Sequence, residues 1–272
     1  MAVLRQPLAN VFRGWLDLNG PLLAPALYLF ESVRSYIEER VEAFDKRFGT
    51  DTAAPFLGHD QKPATHFYVP TTASLIYEIL NSLALQPDTF VFVDMGSGKG
   101  RALLVASEFA FAKIIGIELS PHLHRIAGEN IKRYSPASQQ CTEFQLLCMN
   151  VTDYVYGPEP VVLFLFDPFG SETLRSVIAN LEASLSTQPR EAFVVYIYPQ
   201  FEDVLQDSRV LRKVREGGPP RRPWSRYVVY AASSSGASSA GSARKEIGWA
   251  ASSPGRSKFG TYSPRRTKAA LI

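Results

Sequence analysis

Five short, mostly apolar runs, spaced so that a helix fits between most of them, set the limits on how this chain can fold. They are Phe90–Val93, Lys113–Leu119, Phe144–Cys148, Val161–Phe166 and Ala192–Tyr198. Such continuous runs suit strands covered on both faces. Helical spacing fills the gaps at Arg101–Phe111, Pro121–Tyr134 and Glu172–Leu185. In the second of these, Ser120 stands at the cap, Pro121 in the first turn, and Leu123, Ile126, Ala127 and Ile131 share a face. Strands alternating with helices predict a parallel sheet covered on both sides, and right-handed crossovers make it doubly wound. Trp224–Ala232 reads as a final strand, with Val210–Val214 as its candidate partner. No internal repeats interrupt this order.

The flanks read differently. From Ala26 to Phe48, Leu29, Phe30, Val33, Ile37, Val41 and Phe44 recur at three- and four-residue steps, which predicts an amphipathic helix stopped by Gly49. A loop from Thr50 to Thr72 follows. A second helix is expected over Thr72–Leu83, capped by Thr71 or Thr72. From Ser233 on, Ser, Ala, Gly and Pro make up 24 of 40 residues, and the pattern is lost. The expected organisation is an N-terminal helical segment over residues 1–60, a sheet domain over 61–232, and a disordered basic tail over 233–272.

Charge follows the same division. The chain carries 29 basic and 26 acidic residues, but seven of the basic ones and only Glu246 of the acidic ones fall after residue 232. The tail is therefore +6 and the remainder −3, so a basic groove for nucleic acid is not implied by the folded part. Two cysteines, Cys141 and Cys148, match no zinc spacing and suit the reduced thiols of a cytoplasmic protein. No run reaches the roughly 18–20 apolar residues of a membrane span. His59, His66, His122 and His124 make no ligand set, so no metal is expected.

The chemistry concentrates at Asp94-Met-Gly-Ser-Gly-Lys-Gly100, where the first strand hands over to a helix. Glycines Gly96, Gly98 and Gly100 suit a sharply turning backbone with a ligand laid against it, and the new helix begins with free N–H groups. A phosphate loop would need glycine at Val93 and Ser or Thr at Gly100, and so fails. A dinucleotide loop would need its third glycine at Arg101, which weakens that reading. What remains suits a ligand without a pyrophosphate, whose cationic amino-acid end meets the carboxylate of Asp94. The next strand ends at Glu118, 18 residues after Gly100, where an acid can accept from both hydroxyls of a ribose. The third ends near Asn150, whose polar side chain could meet an adenine amine. Three successive strand ends thus line one crevice.

On these residues the stretch from Phe90 to Ile131 resembles the class I S-adenosylmethionine-dependent methyltransferases. The Asp94–Gly100 loop, Ser97 included, looks like their first motif, Glu118 like their ribose acid, and Met149-Asn150-Val151 like their adenine-contacting motif, with Asn where Asp is commoner. The span from about residue 50 to 232 is similar to a bacterial group of such enzymes that carries a Tyr-x-Pro-Thr segment, matched by Tyr68-Val-Pro-Thr71. Asp51 and Thr52 resemble an Asp-Thr pair of the same group. A similar arrangement occurs in seven-strand methyltransferases of protein lysines. The resemblance implies an α/β, doubly wound, mostly parallel sheet of seven strands with the last two forming a hairpin. It also implies S-adenosylmethionine as cofactor, with Tyr68 and Thr71 on the cofactor side.

Asp167-Pro168-Phe169, at the end of the fourth strand, is similar to the acceptor motif of methyltransferases that act on amines, with one proline fewer. It implies that Asp167 and a backbone carbonyl hold the acceptor nitrogen while the Phe169 ring lies against it. The expected function is methyl transfer to a nucleophile, a protein lysine or a small molecule. Two alternatives stand beside it: a non-catalytic cofactor-binding module of the same fold, and an NAD(P)-dependent oxidoreductase.

Overall fold

In the computed structural model, strands β1 (Val91–Met95), β2 (Lys113–Glu118), β3 (Phe144–Cys148), β4 (Val161–Phe166), β5 (Ala192–Ile197), β6 (Arg212–Gly217) and β7 (Tyr227–Ala232) form one sheet. Their order is β3-β2-β1-β4-β5-β7-β6. The first five pair in parallel, and β7 enters antiparallel between β5 and β6. The chain steps outward from β1 to β3, then returns to β4 on the other side of β1. The crevice above β1 and β4 is therefore the switch point at which open parallel sheets bind ligands. The structure describes residues 43–54, 68, 70–83, 85–218 and 225–233, all within one compact unit. The helix expected over residues 26–42, His59, His66, Trp224 and the basic tail after Ser233 lie outside the described residues.

Six helices are described: α1 (Phe44–Phe48), α2 (Ala73–Ser82), α3 (Arg101–Ala106), α4 (Pro121–Arg133), α5 (Ser171–Thr187) and α6 (Glu202–Gln206). Strand alternation sorts the core into two layers. Phe92, Ile114, Val162, Phe164, Val195 and Ile197 pack with α2 and α3 on one face of the sheet. Val93, Ile115, Leu163, Leu165, Val194 and Tyr196 pack with α5 on the other.

Several boundaries differ from the expected ones. The helix expected through Phe48 is a single turn within the described residues, because Ala43 adopts φ 51°, in the left-handed region that no right-handed helix passes through. Gly49 does stop it, with φ 69° and its N–H on the Asp45 carbonyl. Thr72 occupies the N-cap of α2 but makes no side-chain capping bond. A cap is worth ~1 kcal/mol. Leu75, Ile76, Ile79 and Leu80 are buried and contribute roughly 1.5–3 kcal/mol each, so packing holds this helix. α3 stops at Ala106, short of Phe111, because the Ser107 carbonyl accepts the N–H groups of Gln140 and Cys141 and is unavailable to a further helical turn. β1 runs on to Met95. β6 lies at residues 212–217 rather than 210–214, with an irregularity between Lys213 and Arg215. α4 begins as expected, with the Leu123 N–H on Ser120 Oγ at 3.4 Å.

Candidate active site

Asp94 pairs in register with Gly116, and Glu118 lies two residues further along β2. The two-residue period therefore puts both carboxylates on the α2/α3 face, above Phe92 and Ile114. Both are buried, at 5% and 9% exposure. Among the described residues no hydrogen-bond donor reaches the Asp94 carboxyl. Burial, and then the nearby charge of Glu118, push it up to about 8. Glu118 is also raised by burial, opposed by the N–H groups it accepts. Its Oε2 takes the Gly98 N–H at 2.9 Å and its Oε1 the Ser120 N–H at 2.8 Å. Each of those oxygens keeps a further lone pair for a hydroxyl.

The loop between β1 and α3 is fixed on its inner side by the Gly96 and Ser97 N–H groups, both donating to the Ile117 carbonyl. Gly96 has φ 87° and Gly98 φ 53°, conformations that favour glycine. The space beside them is occupied by protein. A side chain on Gly96 would begin 2.6 Å from Pro168 Cβ, and one on Gly98 would run into the ring of Tyr68. The sequence suggests ligand approach as the reason for these glycines; here they also admit Pro168 and Tyr68. Tyr68 donates its hydroxyl to the Thr52 carbonyl at 2.5 Å, and Thr71 is buried. Ser97 Oγ is buried without a hydrogen-bond partner among the described residues and lies toward Gly116. Asn150 is exposed at the end of β3, where its Oδ1 accepts the Thr152 N–H at 3.1 Å and opens a short 3-10 turn.

Lys99 and Arg101 turn away from the crevice and are 2% and 4% exposed. Lys99 Nζ donates to Asp51 Oδ1 and to the Ala54 carbonyl, both at 2.9 Å. Arg101 Nε donates to Thr52 Oγ1 at 2.7 Å, and its guanidinium lies 3.6 Å from Asp45. Asn130, fully buried on α4, donates to the Asp51 and Lys99 carbonyls and accepts the Asp51 N–H. These contacts have no short-range sequence signal. Only the Asp51-Thr52 resemblance hinted that the region matters.

Across the crevice, Asp167 follows β4 directly, with φ 37°. Its Oδ1 accepts the Tyr196 hydroxyl at 2.7 Å and its Oδ2 the Gln200 side-chain N–H at 2.8 Å. Burial, and then the Asp167 charge, hold the Tyr196 phenol above its ordinary range. Phe169 is buried with the α5 layer, and Pro168 lies against Gly96. Asp167 and Tyr198 stand one step beyond the paired Phe166 and Ile197, and Tyr198 is also left-handed, at φ 52°. Two adjacent non-glycine residues held in this costly conformation at strand ends are what functional sites commonly show. Tyr196 and Gln200, which pin Asp167, are absent from the sequence-based site.

The residues fit S-adenosylmethionine. A buried carboxyl with no donor among the described residues stands at the tip of β1, a second carboxylate stands at the tip of β2, and the loop cations Lys99 and Arg101 are already paired with Asp51 and Asp45, so nothing here calls for phosphate. Residues 52–151 match the family model described as "Histone methylation protein DOT1". By its fold, its crevice and this match, the chain is a class I S-adenosylmethionine-dependent methyltransferase, and S-adenosylmethionine is its cofactor. The particular likeness to the DOT1 model covers the cofactor half and ends before Asp167.

Among solved structures, yhhF of Escherichia coli, described as a methyltransferase, is 17% identical with a TM-score of 0.46, covering 60% of this chain and 87% of its own. A ribosomal protein L11 methylase from Lactobacillus delbrueckii subsp. bulgaricus is 16% identical with a TM-score of 0.41, covering 64% and 88%. An rRNA methylase from Streptococcus thermophilus is 13% identical with a TM-score of 0.38, covering 58% and 91%. No curated protein matches the chain. No helix among the described residues is long and apolar enough to cross a membrane.

Proposed function

We propose that this enzyme methylates an amine nitrogen, and that a protein lysine side chain is the acceptor it takes. The observation that carries this reading is Asp167: a buried carboxylate at the strand end beside the cofactor loop, held by Tyr196 and Gln200. The match to a histone-methylation family supports a protein acceptor.

The cofactor supplies a methyl group already activated on a sulfonium. Asp94 would take the cationic amino-acid end, Glu118 the ribose hydroxyls and Asn150 the base. Tyr68 and Thr71 close the cofactor side together with the Gly96–Gly100 loop. Asp167 accepts an N–H bond from the neutral amine and so aims its lone pair at the methyl carbon. Bound S-adenosylmethionine would give up the methyl and leave with the carbon–sulfur electron pair, and the new ammonium would pass one proton to Asp167 or water. Pro168 lies against Gly96 of the cofactor loop, which brings the Asp167 segment beside it. Alignment of this kind supplies several kcal/mol of the barrier.

Incubation of cell extract with methyl-labelled cofactor and the enzyme tests the reading. Label recovered in protein as methyl-lysine supports it. Label confined to RNA or small molecules, or no transfer by protein that binds S-adenosylhomocysteine, overturns it. Asp167→Ala is expected to slow transfer by about a hundredfold or more while leaving affinity for S-adenosylhomocysteine within about twofold.

A further inference from the structure

The Gly96–Gly100 loop has two sides. The inner one is tied to β2 through the Ile117 carbonyl and Glu118. The outer one is tied, through buried Lys99 and Arg101 and through Tyr68, to a segment some fifty residues earlier, Asp45–Ala54. Two of these ties, from Arg101 and from Tyr68, converge on Thr52, which is 0% exposed. Its N–H and hydroxyl donate to Asp45 at 2.8 and 2.6 Å, its Oγ1 accepts Arg101 Nε, and its carbonyl accepts the Tyr68 hydroxyl. Asp45 is thereby kept below the usual carboxylate range although burial opposes it; the Thr52 and Thr50 hydroxyls, Arg101 and the Ala53 N–H outweigh that penalty. Asp51 completes the clasp, holding Lys99 with its carboxylate and Asn130 with its backbone.

We infer that Asp51 and Thr52 are positioning residues for the cofactor loop, acting through Lys99, Arg101 and Tyr68 rather than by touching the ligand. Buried cations that lose a partner must find another or move toward water. Lys99 lies between Gly98 and Gly100, so its movement displaces the N–H that Glu118 accepts. Glu118 then loses the orientation in which it meets the ribose. Removal of the Thr52 hydroxyl leaves Arg101 Nε and one Asp45 oxygen without it, and frees the first residue of α3 to shift. Cofactor affinity therefore depends on a segment some fifty residues earlier in the chain.

The test is calorimetric titration of the full chain with S-adenosylhomocysteine, each variant held about 20 °C below its own unfolding midpoint. Thr52→Val, which keeps the shape and drops the hydroxyl, is expected to weaken binding about tenfold. Thr52→Ser restores the hydroxyl and is expected to bind within about twofold of wild type. A part in stability alone would lower the midpoint of Thr52→Val and leave its affinity unchanged; that result, or equal weakening in Thr52→Ser, overturns the inference. Should Thr52→Val not fold, Asp51→Asn carries the test. Its side chain is 44% exposed, so the substitution is mild, and it should weaken binding about threefold or more; unchanged affinity overturns the inference. Binding by the wild type in the same series separates this failure from failure of the cofactor assignment.

Discussion

At the scale of single residues, Asp94 carries the clearest prediction. Its folded value, about 8, stands above the ordinary 3.8. The folded protein therefore holds a proton there that the unfolded chain releases between those values. Asp94's contribution to stability is complete below pH about 4 and is lost as pH rises through about 8. A cationic ligand needs the ionised form. Affinity for S-adenosylhomocysteine should then tighten as pH rises toward 8, by up to about tenfold per unit, with about one proton released on binding. Asp94→Asn should abolish this slope; a slope that survives the substitution would assign it to another group. Gly96→Ala tests the loop itself. It combines a left-handed backbone with a collision against Pro168, and should cost ~1–3 kcal/mol of unfolding free energy, read from denaturant melts.

Among the elements, the attachment of the last strands depends on Glu202 of α6. Its carboxylate meets Lys213 of β6 at 2.8 Å and Arg226, just before β7, at 2.6 Å. Burial alone would raise it, but these two cations bring it down to about 2. Its contribution to stability is thus present above pH about 4.5 and is lost as pH falls toward about 2. Glu202→Gln should flatten the acid limb of the melting curve and lower the midpoint by a few degrees, since ~1 kcal/mol is worth about 2–4 °C at this size. This element also shows where sequence reading reaches its limit. The strands β1 to β5 are legible as short continuous apolar runs, and helices α4 and α5 because their buried faces repeat at three-to-four residues. α6 is five residues long and carries too little of any period. β6 is an edge whose Arg212, Lys213 and Val214 face solvent, so its apolar signal falls two residues early. The left-handed Ala43 leaves no mark on hydrophobic spacing.

For the whole molecule, the crevice was legible and its supports were not. Asp94, the glycine loop and Glu118 sit within one βαβ unit, where spacing alone predicts proximity. Asp45, Thr52 and Asn130 join stretches 49 to 79 residues apart, and Tyr196 and Gln200 reach Asp167 across about thirty. Such contacts exist only once the sheet has closed. Because the cofactor binds the assembled crevice and not the open chain, S-adenosylhomocysteine at a hundred times its dissociation constant should add about 2.7 kcal/mol to stability. Thermal unfolding should shift upward by several degrees, and NADH should produce no shift; the reverse pattern would favour the oxidoreductase reading.

The reversed run of β7 has a practical meaning. Tyr227 lies opposite Ile197 at the crevice edge, whereas Ala232 lies opposite Ala192 at the far edge of the sheet. A label coupled through a cysteine placed at Ala232 itself would therefore sit at the rim remote from Asp94 and Asp167. Coupling at that position should leave methyl transfer unchanged, whereas a label at Tyr227 should hinder it.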